Sequence, residues 1–237
     1  MKYRYETHCH TAPVSKCARA DARDTVEFYK SEGYDGLFIT NHFLDGNINI
    51  PHDSDMSYAE KIEFYFSDYE EAHRIGEEIG LKVFPGVELS YKGTDFLIYG
   101  LDKEWYLAHP EIMEMKQSAK LTFMMEEGAL VVQAHPFREK DYIDHIRLFP
   151  RAVHAVEIIN CAQTDAVNRM AGIYAQEYGL AVTAGSDNHS AGRAKALAGI
   201  ETDTPLNSVK DFIDCVLARK LSVFYHKREV QPIVKGL

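Results

Sequence analysis

The sequence predicts an α/β fold in which a mainly parallel sheet closes into a barrel or near-barrel, and three observations lead there. Short runs rich in β-branched and aromatic residues alternate with longer segments of helical period from one end of the chain to the other. The repeated strand-then-helix order is that of parallel units, and their number argues for closure over an open sheet. The 237 residues are about what one such barrel requires, so a single domain over residues 1–237 is expected.

Strands are expected at Tyr3 to His8, Gly36 to Thr40, Lys82 to Glu88, Phe96 to Tyr99, Leu130 to Ala134, Ala155 to Ile159, Ala181 to Ala184 and Ser222 to Tyr225. Between them, Asp21 to Ser31 has an apolar side with Gly33 just beyond its end, and Tyr58 to Ile79 carries acidic residues on one side and closes at Gly80. Further helices are expected around Pro110 to Glu127, Asp141 to Leu148, Thr164 to Glu177 and Leu206 to Ala218. Phe43 to Ser57, "FLDGNINIPHDSDMS", has turn formers and no clear period, which reads as a long loop over the carboxyl-end face of the sheet.

An apolar fraction of 46% and a charged fraction of 26% are ordinary for a soluble globular chain, and no apolar run approaches the length a bilayer requires. The opening "MKYRYETHCH" lacks the apolar core of a secretory signal. Cys9, Cys17, Cys161 and Cys215 are scattered without a C-x-x-C pair, which suits the reducing cytoplasm better than a disulfide framework. A cytoplasmic protein with no membrane partner is therefore expected. The 26 Lys and Arg against 36 Asp and Glu give a formal charge of −10, which repels polyanions at long range and disfavours a nucleic-acid coat, although bound cations reverse the sign locally.

Polar residues recur at or just past the expected strand ends: His8 and His10 in "ETHCHT", Asn41 and His42 after "LFIT", Glu88 after "VFPGV", His135 after "LVVQA", Asn160 after "VEII", and Asp187 with His189 after "VTAGS". In a parallel barrel those ends ring one mouth, so residues far apart in sequence meet there. Alternation along an extended strand puts His8 and His10 on one face and Cys9 on the other, and Asp187 and His189 share a side if "GSDNH" stays extended. The other six histidines, His52, His73, His109, His145, His154 and His226, fall in helices or loops, where solvated or capping roles are the default. Imidazole nitrogen with carboxylate oxygen is the ligand set of zinc, manganese or iron, and Glu88 is the candidate bridge between two ions.

Together "HCH", "ITNH", "GVE", "AHP" and "GSDNH", in this order from residue 8 to residue 189, resemble the polymerase and histidinol phosphatase (PHP) family of metal-dependent phosphoesterases. The resemblance implies a distorted (β/α)7, TIM-like barrel with two or three divalent ions (Zn, Mn or Fe). It implies that His8, His10, Glu88 and Asp187 hold one ion, Glu88 and His135 a second, and His42 and His189 a third. Where many members have a further histidine or aspartate this chain reads "SKCAR", leaving Cys17 or Ser15 as substitutes, and "GTDFLIYG" offers only Asp95 in place of another family histidine. Asn41 stands where Asp is common; it can orient an imidazole without adding negative charge.

Metal-activated hydroxide is then the expected nucleophile, and guanidinium groups at the mouth stabilise the charge that develops on the phosphoryl oxygens. Arg19 and Arg193, each a few residues past a metal motif, are the candidate catalytic arginines, with Arg138 after "AHPF" a third choice. The favoured function is hydrolysis of a phosphomonoester on a small phosphorylated metabolite, in the manner of histidinol phosphatase. The alternatives are a phosphodiesterase or exonuclease on nucleotides or short oligonucleotides, a non-catalytic metal-binding accessory module, and, more distantly, an amide-cleaving metallohydrolase. A basic groove leading to the mouth would favour the nuclease, and the sequence has no dense Lys/Arg run to build one.

Overall fold

Residues 2–229 are described in a computed structural model, and they form two five-stranded mixed sheets in place of the closed barrel that the strand–helix alternation implied. In chain order the elements are β1 (Tyr3–Cys9), α1 (Ala22–Ser31), β2 (Gly36–Ile39), α2 (Tyr58–Ile79), β3 (Lys82–Pro85), β4 (Val87–Tyr91), β5 (Thr94–Tyr99) and α3 (Lys103–Ala108). They continue with α4 (Gln117–Glu126), β6 (Leu130–Ala134), β7 (Ala155–Asn160), α5 (Asp165–Glu177), β8 (Ala181–Gly185), β9 (Ala196–Thr202), α6 (Val209–Leu217) and β10 (Ser222–Lys227). One sheet has the order β10-β9-β1-β2-β3 and the other β4-β5-β6-β7-β8.

The barrel fails for identifiable reasons. The expected strand Lys82 to Glu88 divides at Gly86: β3 pairs with β2 in one sheet, whereas β4 pairs with β5 in the other. A side chain at Gly86 would press a Cβ to 2.8 Å from Thr40. β4 and β5 are joined by a two-residue turn, Lys92 (φ 51°) and Gly93 (φ 82°), the left-handed pair of a tight hairpin, with no helix to carry the chain back to a parallel start. β5 with β6, β1 with β9 and β9 with β10 are also antiparallel. The parallel pairs are β1–β2, β2–β3, β6–β7 and β7–β8.

The sheets meet at one end through isolated bridges, Cys9 with Asn188 and His42 with Glu88. Away from that end, inward side chains of both sheets share one apolar cluster, in which Tyr5 and Phe38 of the first pack with Leu97, Tyr99 and Val132 of the second. Phe212 of α6 plugs it, its ring centroid 4.5 Å from that of Phe38. The interior is therefore dry and aromatic at the bottom and polar at the mouth.

α2 has the expected bounds because both ends carry stop signals. Ser57 and Glu60 form a reciprocal capping box, and Gly80 closes the helix in the left-handed conformation (φ 72°). The loop 43–57 contains no helix or strand, as expected. The helix expected over Asp141 to Leu148 is absent: Gln133 takes the Arg147 carbonyl and the Phe149 N–H with its side chain, and Pro150 follows. No helix among the described residues is long and apolar enough to cross a membrane.

Candidate metal centre

β1 delivers His8 and His10 to one point, their Nε2 atoms 3.2 Å apart, while Cys9 is buried in the core on the opposite face. Glu88, the second residue of β4, lies between the sheets, with Oε1 3.2 Å from His8 Nε2 and 3.5 Å from His135 Nε2. Its Oε2 is 2.6 Å from His42 Nδ1 and 3.5 Å from His10 Nε2. Asp187 Oδ1 faces His10 Nε2 at 3.4 Å, His8 Nε2 at 3.6 Å and His189 Nδ1 at 3.5 Å. The chain does not remain extended through "GSDNH": β8 ends at Gly185 and Asp187 takes a left-handed φ of 52°, held by its N–H to the His8 carbonyl. His135 is likewise left-handed (φ 27°), its N–H bonded to Glu157. Such strain persists only where the surroundings over-determine it.

All seven histidine and carboxylate residues singled out from the sequence thus surround one volume, and Asp95 joins them, Oδ2 3.8 Å from His135 Nε2. Donor atoms close enough to share an ion fall into overlapping groups: His8, His10 and Glu88; Glu88, Asp95 and His135; His10, His42 and His189. Glu88 Oε2, His42 Nδ1 and His135 Nε2 are buried with no hydrogen-bond partner, although His42 and Glu88 approach so closely, and Asp95 Oδ2 has only an ion pair with Arg138. Buried polar atoms rarely stay without hydrogen bonds, so such a cluster fits a site built for cations. The N/O donor set suits divalent metal ions.

Hydrogen bonds beneath this layer fix the tautomers. His8 Nδ1 lies 2.9 Å from Glu157 Oε1, so it carries the proton and Nε2 presents its lone pair inward. Ser15 donates to Asn41 and faces His10 Nδ1 at 3.1 Å, doing the same for His10. Ser15 is therefore engaged in holding His10 and His42, whose N–H it also accepts. Asn41 supports the imidazole through Ser15, and it accepts the Thr11 N–H as well. Glu157 was not singled out in the sequence. Its signal is a charged residue inside the apolar run "AVEIIN", where an unpaired carboxylate could not be buried.

The electrostatics follow from packing carboxylates among imidazoles. Burial pushes Glu88 up, but His42 and His8 outweigh it and hold its carboxyl well below the usual range. Asp187 is held down in the same way by His8 and His10. Burial and then His189 and His42 keep His10 neutral, as a ligand requires. Asp95 is raised by burial and by Glu88. Burial raises the Cys17 thiol, yet His189 and His42 bring it down to about 6.

The cavity above the cluster holds about 460 Å³ and is walled by Glu88, Asp95, Asp187, His42, His189 and Arg138, among others. Arg138 Nη2 pairs with Asp95 Oδ2 at 2.8 Å, and its Nε is buried and unpartnered. Neither arginine favoured from the sequence lines this cavity. The Arg19 side chain is exposed, and its backbone N–H donates to the His189 carbonyl. Arg193 is exposed beside a neighbouring cavity that shares Asp187 and His189 and is also lined by Lys195 and Lys227.

The sequence model of the family described as PHP-associated matches residues 166–221, the segment that contains Asp187, His189 and Arg193. No curated protein matches the chain. Among solved structures, it is similar to a two-domain protein from Bacteroides vulgatus containing a predicted PHP-like metal-dependent phosphoesterase. That match has a TM-score of 0.70 at 13% identity and covers 95% of this chain and 65% of the other, so this chain spans about two thirds of that protein's length. A predicted metal-dependent phosphoesterase from Bifidobacterium adolescentis matches with a TM-score of 0.57 at 14% identity, over 92% of this chain and 96% of that one. An amidohydrolase from Chromobacterium violaceum, with bound sulfate and no metal, matches with a TM-score of 0.54 at 13% identity, over 92% and 97%. At these identities the likenesses speak for the fold. The matched PHP-associated segment carries Asp187 and His189 of the cluster, so segment, motifs and fold make the chain similar to PHP-like proteins.

Proposed function

We propose that the chain is a metal-dependent phosphoesterase whose substrate is a small phosphomonoester. The observation that carries this reading is the convergence of His8, His10, Glu88, His135 and Asp187 beneath a cavity that also bears Arg138. Divalent ions, if bound, would supply Lewis-acid charge to a phosphoryl group and a water of lowered pKa. His8, His10, Glu88 and Asp187 would hold one ion, Glu88, His135 and Asp95 a second, and His42 with His189 a third. Arg138, steadied by Asp95, offers its guanidinium fork to the phosphate. Arg19 is given no part in this arrangement, and Arg193 is kept for a longer anion.

That longer anion is the second reading. Arg193, Lys195 and Lys227 line the cavity adjoining Asp187 and His189, the local basic feature that a diester or oligonucleotide requires. Paired rates on a phosphomonoester and a phosphodiester, with elemental analysis of protein purified without added metal, separate the two. Bound metal with monoester turnover, lost in His8→Ala and Glu88→Ala while far-UV circular dichroism is kept, supports the phosphatase. Diester preference replaces it with the second reading. Unchanged turnover in both variants removes the site altogether.

A further inference from the structure

Glu6 opens the stretch "ETHCHT", and the reading above gives it no part. It lies on the same face of β1 as His8 and His10 and is fully buried. Its Oε1 accepts the backbone N–H of His8 at 2.8 Å and that of Ser186 at 2.9 Å, and its Oε2 accepts the Tyr29 hydroxyl at 2.8 Å. All three donors are neutral, so this carboxyl group is buried for hydrogen bonds and not for an ion pair.

The place of these bonds in the fold gives them a use. β9 pairs with β1 from Tyr3 to Tyr5, and the register of β1 on β2 shifts between Glu6 and Cys9. Past Tyr5, β1 runs beside the chain leaving β8, a strand of the other sheet: Cys9 bridges to Asn188, and the His8 carbonyl accepts the Asp187 N–H at 2.8 Å. At this seam one side-chain oxygen stands where a strand ladder would place a carbonyl, and it holds the His8 and Ser186 N–H groups together. Ser186 is fixed from β9 as well, its hydroxyl donating to the Ala198 carbonyl and accepting the Ala198 N–H. Tyr29 is held in turn by the Asn188 amide, which donates to its hydroxyl.

We propose that Glu6 is a positioning residue, which bridges the His8 and Ser186 N–H groups across the two sheets and thereby sets the spacing of His8 and Asp187 for a shared ion. Nε2 of the one and Oδ1 of the other lie 3.6 Å apart. The proposal rests on the metal-centre reading above and adds what brings two of its donors, one from each sheet, into register. Glu157 orients the His8 ring, whereas Glu6 fixes the backbone from which that ring projects. Without an acceptor at this point two buried N–H groups lose their partner, and the seam relaxes to find them another. Oxygen at Oε1 is what the bridge requires, and an amide carbonyl supplies it as a carboxylate does.

The test compares Glu6→Gln, which keeps an acceptor oxygen, with Glu6→Leu, which removes it. Zinc is titrated into metal-free protein and followed by the histidine side-chain resonances in proton–nitrogen correlation spectra. In Glu6→Leu the His8 resonances should respond only at zinc concentrations at least about tenfold higher than in the native protein, while those of His42 and His189 respond as before. Glu6→Gln should restore the native response of His8. Equal loss in both variants would show that charge and not the bridge is at work, and a native response in Glu6→Leu, or an equal shift of every histidine, would also overturn the proposal. Should Glu6→Leu not fold, hydrogen exchange in the native metal-free protein decides: the His8 and Ser186 amides should exchange as slowly as those inside β6, and exchange at the rate of exposed loop amides would overturn the bridge. No response of any native histidine to zinc would remove the metal centre itself, and the proposal with it.

Discussion

A histidine gives a cation one nitrogen when the other keeps its proton, and at His8 that proton is held by Glu157. Glu157 accepts three times, from His8 Nδ1, the His135 N–H and the Asn160 amide, so both of its oxygens are committed. In Glu157→Gln the new NH2 must face another donor, and metal affinity should fall about 10- to 100-fold by competition with a fluorescent chelator. Affinity within experimental error of wild type would mean that His8 orients itself. Arg138→Lys keeps a charge beside Asp95 but loses the fork, and should lower kcat/KM at least about tenfold. Arg19→Ala should leave kcat/KM near that of wild type, and the reverse pattern would restore Arg19 to the site. That the histidines and carboxylates would cluster was readable in sequence because imidazoles at successive strand ends are chemically unusual. Where the arginine side chains lie was not, because long side chains reach as readily away from a site as into it. Glu157 was missed, and Ser15 was read as a substitute ligand when it supports His10 and His42 from beneath, because residues under a site are visible only through what they touch.

Helix ends carried chemical punctuation and were read well: Thr164 caps α5 and Asp21 caps α1, both at the positions the sequence indicated. The hairpin β4–β5 was missed because Lys92–Gly93 lacks the Asn-Gly or Asp-Gly signature, although its backbone has the corresponding left-handed pair. An L-residue there costs about 1–2 kcal/mol, which Asn bears better than Lys. Lys92 hydrogen-bonds through its carbonyl to Arg147, and that bond survives a change of side chain. Lys92→Asn should therefore stabilise by about 0.5–1 kcal/mol and raise Tm by about 1–4 °C in thermal unfolding. A lowered Tm would show that the Lys92 ammonium over the Tyr91 ring contributes more than the turn geometry. β9 escaped notice for a related reason: "ALAGIET" has small residues where strand signals are sought. Gly199 is needed there because a Cβ would come within 2.2 Å of the Tyr5 carbonyl.

Strand–helix alternation gave the α/β class, and the error lay in extending it to closure. Whether strands close depends on pairing direction, which alternation does not encode where a hairpin or a sheet switch such as Gly86 intervenes. The open architecture has an energetic consequence at the mouth. His8, His10 and His42 belong to the first sheet and its loops, whereas Glu88, Asp95, His135, Asp187 and His189 belong to the second. Between β1 and β8 the approach is so close that a Cβ on Gly185 would fall 2.4 Å from that of His8. Apolar packing holds the sheets together below, but at the mouth the contacts are isolated bridges and buried carboxylates that repel one another. Ions shared by donors from both sheets would join them, so binding should stabilise the fold as a cross-link does. At an ion concentration of about 100 Kd, each site adds about 2.7 kcal/mol, and at about 2–4 °C per kcal/mol the Tm of metal-loaded protein should lie roughly 5–10 °C per site above that of protein treated with chelator. Glu88→Ala, which removes the carboxylate that faces histidines of both sheets, should unfold at a temperature nearly independent of added zinc or manganese. Equal Tm values for loaded and chelated native protein would mean that the sheets are held by their apolar floor alone.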